Sequence, residues 1–165
     1  MWTKKFGMLA WVWIALVIIA LDLYTKSLIS GSFVYGEQRV ILPIFNLTLL
    51  HNPGAAFSFL GDAGGWQRWL FTGIAAGVSL MLVVWLTQLK RDQFWLAIAI
   101  SFILGGALGN LYDRLTLGYV VDFIQVHWQR HYFPAFNVAD SAITVGAIML
   151  IIDAIRGNHE SSESE

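Results

Sequence analysis

Four separate stretches of mostly apolar residues, at 6–29, 69–89, 94–112 and 137–155, constrain this chain more than any other feature. Each approaches the roughly 20 residues that carry an α-helix across a hydrocarbon core of about 30 Å. The remaining segments are too polar or too short to cross. With 57% hydrophobic and 13% charged residues, the chain has the composition of a membrane protein. The pattern predicts an all-α membrane protein: one domain over residues 1–155 with four transmembrane helices. Within the first stretch the apolar run from Phe6 to Leu21 exceeds a signal peptide's hydrophobic core and ends at Asp22 rather than at a small-residue cleavage site, so it is expected to stay as a helix and not to be removed as a signal peptide.

Parity then sorts the polar residues. Lys90, Arg91, Asp92 and Gln93 form a short polar connection, which makes spans two and three an antiparallel hairpin. The two long loops, 30–68 and 113–136, must therefore share one face of the membrane. That face collects Asp22, Lys26, His51, Asn52, Asn110, Asp113, Arg114, Asp122, Asn137 and Asp140. Five of the 10 basic residues fall on each side, but those opposite the long loops (Lys4, Lys5, Lys90, Arg91 and Arg156) crowd into short segments beside the spans. This places both termini in the cytoplasm and the long loops outside it. Val40-Ile41-Leu42-Pro43 and the alternating Phe45-Asn46-Leu47-Thr48-Leu49 predict a strand pair, hence a small extracytoplasmic β-rich loop domain able to cradle an extended peptide. The Ser- and Glu-rich residues 156–165 are expected to be a disordered tail.

Several chemistries are excluded or weak. The net charge is −1 and the basic residues form no stripe, which argues against nucleic acid as a partner. The absence of cysteine removes thiol nucleophiles and Cys-based metal sites. His127 and His131 have the i, i+4 spacing of a metal-binding helix but lack the intervening Glu of His-Glu-x-x-His, so no metal site is assigned. No Gly-x-Ser-x-Gly occurs.

Carboxylates remain. A charged residue inside a span costs about 2.5–3.5 kcal/mol on insertion scales, so an intramembrane Asp is a functional candidate; spacing alone, however, reads Asp22 and Lys26 as an i, i+4 ion pair with a snorkelling lysine. Asn137 and Asp140 have the spacing of a helix N-cap and its N3 acid, which is by itself a sufficient structural account. Asp122 lies in the apolar run Tyr119-Val120-Val121-Asp122-Phe123-Ile124, whose burial would raise its pKa, or it is a loop aspartate facing water. If Asp122 and Asp140 meet, they share a proton, and such a dyad can cleave amides: one Asp takes a proton from water and the other supplies one. Gly105 and Gly109, like Gly73 and Gly77, have the small-xxx-small spacing of close helix packing. Asn110, Asp113 and Arg114 follow at i, i+3 and i+4. Arg114 suits either a lipid headgroup or a carboxylate or carbonyl in a site.

In order, these boxes resemble the lipoprotein signal peptidases, or signal peptidase II, bacterial aspartic membrane peptidases. The resemblance runs through Asp22, Thr25 and Lys26; Asn52-Pro53-Gly54-Ala55-Ala56-Phe57; Gly105-Gly106 with Gly109-Asn110 and Asp113-Arg114; Val121-Asp122-Phe123; and Phe136-Asn137-Val138-Ala139-Asp140 with Ile143 and Gly146. It implies that Asp122 and Asp140 are the catalytic dyad. It also implies that Asp22, Asn52, Gly54, Asn110, Arg114 and Asn137 are supporting or substrate-binding residues. The implied partners are lipid-modified prolipoprotein signal peptides and membrane lipids, cleaved just before a diacylglyceryl-modified cysteine, with no metal or organic cofactor. A Gly-x-Gly-Asp motif of the prepilin-type peptidases is absent. The non-enzymatic alternative, a small transporter or channel subunit, requires polar residues through the bilayer midplane, where spans two and three offer only Ser79 and Ser101.

Overall fold

The computed structural model describes residues 7–54 and 65–162, with side chains to Arg156. Helix α1 (Val12–Ser32) follows one 3-10 turn at Leu9–Trp11, and α2 (Trp66–Gln88), α3 (Phe94–Thr116) and α4 (Val138–Ser162) complete the helical set. Each contains a segment long and apolar enough to cross a membrane. A small antiparallel sheet accompanies them, made of β1 (Gln38–Leu42), β2 (Phe45–Asn52), β3 (Val120–Trp128) and β4 (His131–Tyr132) in that spatial order. The described part of the chain is a four-helix membrane protein with one sheet.

α2, α3 and α4 run longer than hydropathy alone marks, while α1 covers Val12–Ser32 behind its 3-10 turn where 6–29 is expected. α3 continues through Asn110, Asp113 and Arg114 to Thr116, and the backbone N–H of Leu117 closes it on the Asp113 carbonyl. The polar residues of its last two turns are thus presented by an intact helix and not by a fraying end. α4 runs seven residues past Ile155 to Ser162. Once a helix is nucleated, each further residue adds a backbone hydrogen bond, and residues 156–162 contain no proline to stop it. Residues 163–165 of that tail lie outside the described residues.

α3 is the hub. Over half of its apolar window is buried, against 17–28% for the other three. Ala97, Ile100 and Leu104 of α3 join Ala15 of α1 and Leu82 and Leu86 of α2 in one apolar core. Gly105 and Gly109 let α1 approach: a Cβ on Gly105 would lie 2.8 Å from Ile18 Cβ, and one on Gly109 would lie 2.7 Å from Asp22 Oδ2. Gly106 and Gly146 do the same between α3 and α4, where a Cβ would meet the Ala139 or Ala99 carbonyl. Gly73 and Gly77 differ. A Cβ on either meets nothing within 4 Å among the described residues, so this half of the expected small-residue packing is not used here.

The strand pair expected in the first loop is present, but the sheet is larger. β3, expected as loop, pairs antiparallel with β2 and brings the two long connections to the same end of the helices. Its first four residues are all buried and, Asp122 apart, apolar, so the run lacks the alternation by which a half-exposed strand is read. The sheet rests on the end of α1 through Leu49, Val121 and Phe123 against Ile29 and Phe33.

Candidate active site

The site is built where three elements converge: the last turns of α3, the first turn of α4, and the β2–β3 ladder. Asp122 lies on β3 opposite Leu50, beside a bulge where β2 advances three residues, Leu47 to Leu50, while β3 retreats two, Ile124 to Asp122. A bulge re-aims the side chains next to it. Asp122 is 4% exposed. Its Oδ2 accepts from Asn52 Nδ2 at 3.0 Å and its Oδ1 from Asn137 Nδ2 at 2.8 Å.

Asp140 stands in the first turn of α4 and closes a capping box with Asn137. The Asp140 backbone N–H donates to Asn137 Oδ1 at 2.9 Å, and Asp140 Oδ2 accepts from the Asn137 backbone N–H at 3.3 Å. Asp140 Oδ1 also accepts from Asn110 Nδ2 at 2.7 Å. The capping account of Asn137 and Asp140 is therefore correct but incomplete. Asn137, fully buried, caps α4 with its oxygen and spends its NH2 on Asp122, the Val121 carbonyl and Asn110 Oδ1. One amide thus ties the two aspartates into one network.

Burial pushes the Asp122 carboxyl up to about 7, and the neighbouring Asp140 charge pushes the same way. The amide donors of Asn52 and Asn137 and the Lys26 ammonium oppose them without prevailing. A carboxyl that holds its proton near neutrality beside a second, hydrogen-bonded carboxyl can serve as an acid while its partner serves as a base.

Lys26 does not snorkel: it is buried at 3% exposure, and Asp22 beside it is completely buried. Lys26 Nζ lies 2.7 Å from Asp22 Oδ2 and 2.9 Å from Asp113 Oδ2, so the expected local pair is a three-residue cluster joining α1 to α3. Asp22 Oδ1 accepts the Ala139 backbone N–H at 2.9 Å, which caps α4 from another helix. Asp113 Oδ2 accepts the Val121 N–H at 3.1 Å and so positions the strand that carries Asp122.

The family model for signal peptidase (SPase) II matches residues 14–156 of this chain, nearly all of its described length. The chain belongs to the signal peptidase II family. It is similar to the lipoprotein signal peptidase of Pseudomonas putida, at 58% identity over 92% of this chain and 90% of that one. It is likewise similar to the one from Pseudomonas fluorescens, at 59% identity over 93% and 91%. Two solved structures, both titled as bacterial membrane enzyme structures obtained by the in meso method, are similar at 31% identity with TM-scores of 0.80 and 0.77. They cover 93% and 91% of this chain, and the match spans 92% and 95% of theirs. As a member of this family the chain is an enzyme, an aspartic peptidase.

Two further residues of this peptidase take their places around the aspartates. Gly54 has φ +106 and donates its N–H to Asn52 Oδ1 at 2.9 Å, while a Cβ there would lie 2.6 Å from Phe71 Cδ2. Only glycine suits both conditions. The rest of that box, Ala55 to Phe57, lies outside the described residues. The Arg114 guanidinium sits over the Phe71 ring at 5.7 Å and donates from Nη1 to the Asn110 carbonyl at 3.3 Å; its Nε is buried without a partner and it makes no ion pair among the described residues.

His127 and His131 do not lie on a helix. They stand on β3 and β4, where His127 pairs with Tyr132 and His131 with Trp128. Among the described residues, no group of three or more His, Asp or Glu is arranged to hold a metal. Arg68 is a residue that sequence reasoning missed: its Nε and Nη2 donate to the Arg114 and Leu115 carbonyls at 2.8 and 3.1 Å, capping α3 from the start of α2. No spacing rule links Arg68 to residues more than 40 positions away.

Proposed function

We propose that this peptidase removes the signal peptide from prolipoproteins that carry a diacylglyceryl group on cysteine, cleaving the bond just before that cysteine, with Asp122 and Asp140 as the catalytic dyad. The observation that carries the reading is the shared amide network: Asn52, Asn110 and Asn137 donate to the oxygens of the two carboxylates and hold them as one unit. The relatives' names, lipoprotein signal peptidase, support the substrate class. The low exposure of Asp122 supports the proton sharing that a dyad needs.

The chemistry balances without a covalent intermediate. The ionised carboxylate takes a proton from water as its oxygen attacks the scissile carbonyl carbon, and the neutral carboxyl gives its proton to the carbonyl oxygen. Collapse of the tetrahedral adduct breaks the C–N bond, with proton return to the leaving amine. The products are a signal peptide ending in a carboxylate and a lipidated cysteine with a free amino group. Asn52, Asn110 and Asn137 orient the dyad, Asp22 holds the start of α4, Gly54 lets the backbone turn beside Phe71, and Arg114, with its guanidinium over the same ring, serves as a supporting or substrate-binding residue.

The bilayer supplies the remaining logic. Exposed Trp66, Trp69 and Tyr112 line the helix ends near the sheet, as side chains at a membrane surface do. A substrate acyl chain stays in the lipid while the bond enters the site. The reading sets the enzyme in the bacterial inner membrane, with both termini cytoplasmic and the sheet and dyad at the outer face; it is supported by Lys90, Arg91 and Arg156 at the end opposite the sheet and by Lys4 and Lys5 preceding the first span in the sequence.

The test uses the full chain in lipid with a diacylglyceryl-cysteine precursor peptide. Asp122→Asn and Asp140→Asn should each insert and fold yet lose about 10²–10⁴-fold in kcat, the usual worth of a positioned acid or base. Parental rates from either variant would overturn the dyad.

A further inference from the structure

We infer that Lys26, on α1, is a positioning residue of the active site: by donating to Asn110 it fixes which end of that amide faces Asp140. The inference rests on the reading of Asp122 and Asp140 as the dyad. A lysine ammonium has three N–H donors and no acceptor. The Lys26 Nζ is ion-paired with Asp22 Oδ2 at 2.7 Å and Asp113 Oδ2 at 2.9 Å, and it donates a hydrogen bond to Asn110 Oδ1 at 3.0 Å. The third contact carries the consequence.

An asparagine amide is nearly symmetric in shape, and its orientation follows from its neighbours. Asn110 is 5% exposed, so water does not decide it. Lys26 can only donate, so the atom facing it must be Oδ1; Nδ2 then faces Asp140 Oδ1, to which it donates at 2.7 Å. Asn137 Nδ2 also donates to Asn110 Oδ1, at 3.2 Å, which agrees with the same orientation. Were the amide turned over, its oxygen would oppose the Asp140 carboxylate and its NH2 would oppose two donors, the Lys26 ammonium and the Asn137 NH2. Lys26 therefore acts on Asp140 through one intermediate side chain. It touches neither aspartate of the dyad.

The other two contacts make this possible. Asp22 and Asp113 balance the ammonium and hold it from both helices, so its third N–H has a fixed direction. Removing Lys26 alone would strand two buried carboxylates and threaten the fold. Replacing Lys26 and Asp113 together strands only Asp22, which keeps the Ala139 N–H, and the cluster carries −1 in both forms: one lysine against two aspartates before, Asp22 alone after.

The experiment compares steady-state kinetics of Lys26→Met/Asp113→Asn, Asp113→Asn, Asn110→Ala and the combination of all three changes, with Asp122→Asn and Asp140→Asn alongside. Lys26→Met/Asp113→Asn should lower kcat by about 10²-fold, the scale of a small misplacement in a site, with KM within about threefold of the parent. Asp113→Asn alone, which leaves the Lys26–Asn110 contact, should cost less than about tenfold. Adding Asn110→Ala to Lys26→Met/Asp113→Asn should cost nothing further, since both act at the same contact. A parental kcat in Lys26→Met/Asp113→Asn, or losses that multiply with Asn110→Ala, would overturn the inference while leaving the dyad intact. Activity retained by Asp122→Asn or Asp140→Asn would overturn both.

Discussion

Replacing Asn52 by alanine removes one of the two side-chain amides that favour the charged form of Asp122. The lost contact is the 3.0 Å donation from Asn52 Nδ2 to Asp122 Oδ2. A hydrogen bond to a charged group is worth about 1.5–3 kcal/mol net. One pKa unit corresponds to about 1.4 kcal/mol, so the full loss would be about 1–2 units, and Asn52 is half-buried, which brings the expectation to about 1 unit. The direction is upward, because the amide stabilises only the carboxylate. Asp122 starts at about 7. In a dyad active with one proton, that group sets the alkaline limb of the rate profile, where the shared proton leaves. The kcat–pH profile of Asn52→Ala, measured in lipid on a lipidated precursor peptide, should therefore keep its alkaline limb to a pH about 1 unit higher than the parent. Asn52→Asp, which replaces the donor by a like charge, should move the limb the same way and further. An alkaline limb that stays where it was in both variants, or moves down, refutes the assignment of that limb to Asp122.

Two other outcomes follow from the same geometry. Because the Asp122 carboxyl is raised above its ordinary 3.8 to about 7, the folded state binds more protons than the unfolded one between those values, and stability falls as pH rises through that window. Asp122→Asn removes the titration, so its Tm advantage over the parent should be larger at pH 8 than at pH 5; an advantage that shrinks toward pH 8 contradicts the burial argument. Gly106→Ala should lower stability by about 1–3 kcal/mol, since its Cβ would meet the Ala139 carbonyl and Ile143 across the α3–α4 contact. Gly73→Ala, in open space, should be neutral or stabilising by up to about 1 kcal/mol. Denaturation in detergent measures both, and equal effects at the two sites would refute the packing assigned to each.

How far the sequence could be read depends on the range of each interaction. The capping box of Asn137 and Asp140 was legible because its atoms are three residues apart and obey a local rule. Asp22 with Lys26 was legible as a pair but not as a buried one with a lysine that does not snorkel, because spacing shows the i, i+4 contact and cannot show Asp113 arriving from another helix. The strand that carries Asp122 was hidden by its burial on both faces, which erases the alternation that would announce it. The two glycine pairs looked alike, yet Gly105 and Gly109 hold α1 against α3 while Gly73 and Gly77 touch nothing described. A motif states that close approach is possible, and only a neighbour makes it occur.

Hydropathy and parity alone determined that four helices cross a membrane and that both long connections emerge at one end, since the length of an apolar run and the number of crossings are properties of the chain itself. The family resemblance, also carried by the sequence, named the aspartates. What the tertiary structure decided is how those carboxylates are held: Asp122 and Asp140 joined through the Asn137 amide, and Asn110 turned by a lysine 84 positions earlier in the chain. Those contacts cross between helices and strands far apart in sequence. Their directions are set by the fixed donor and acceptor geometry of buried groups that have no water to substitute for a missing partner.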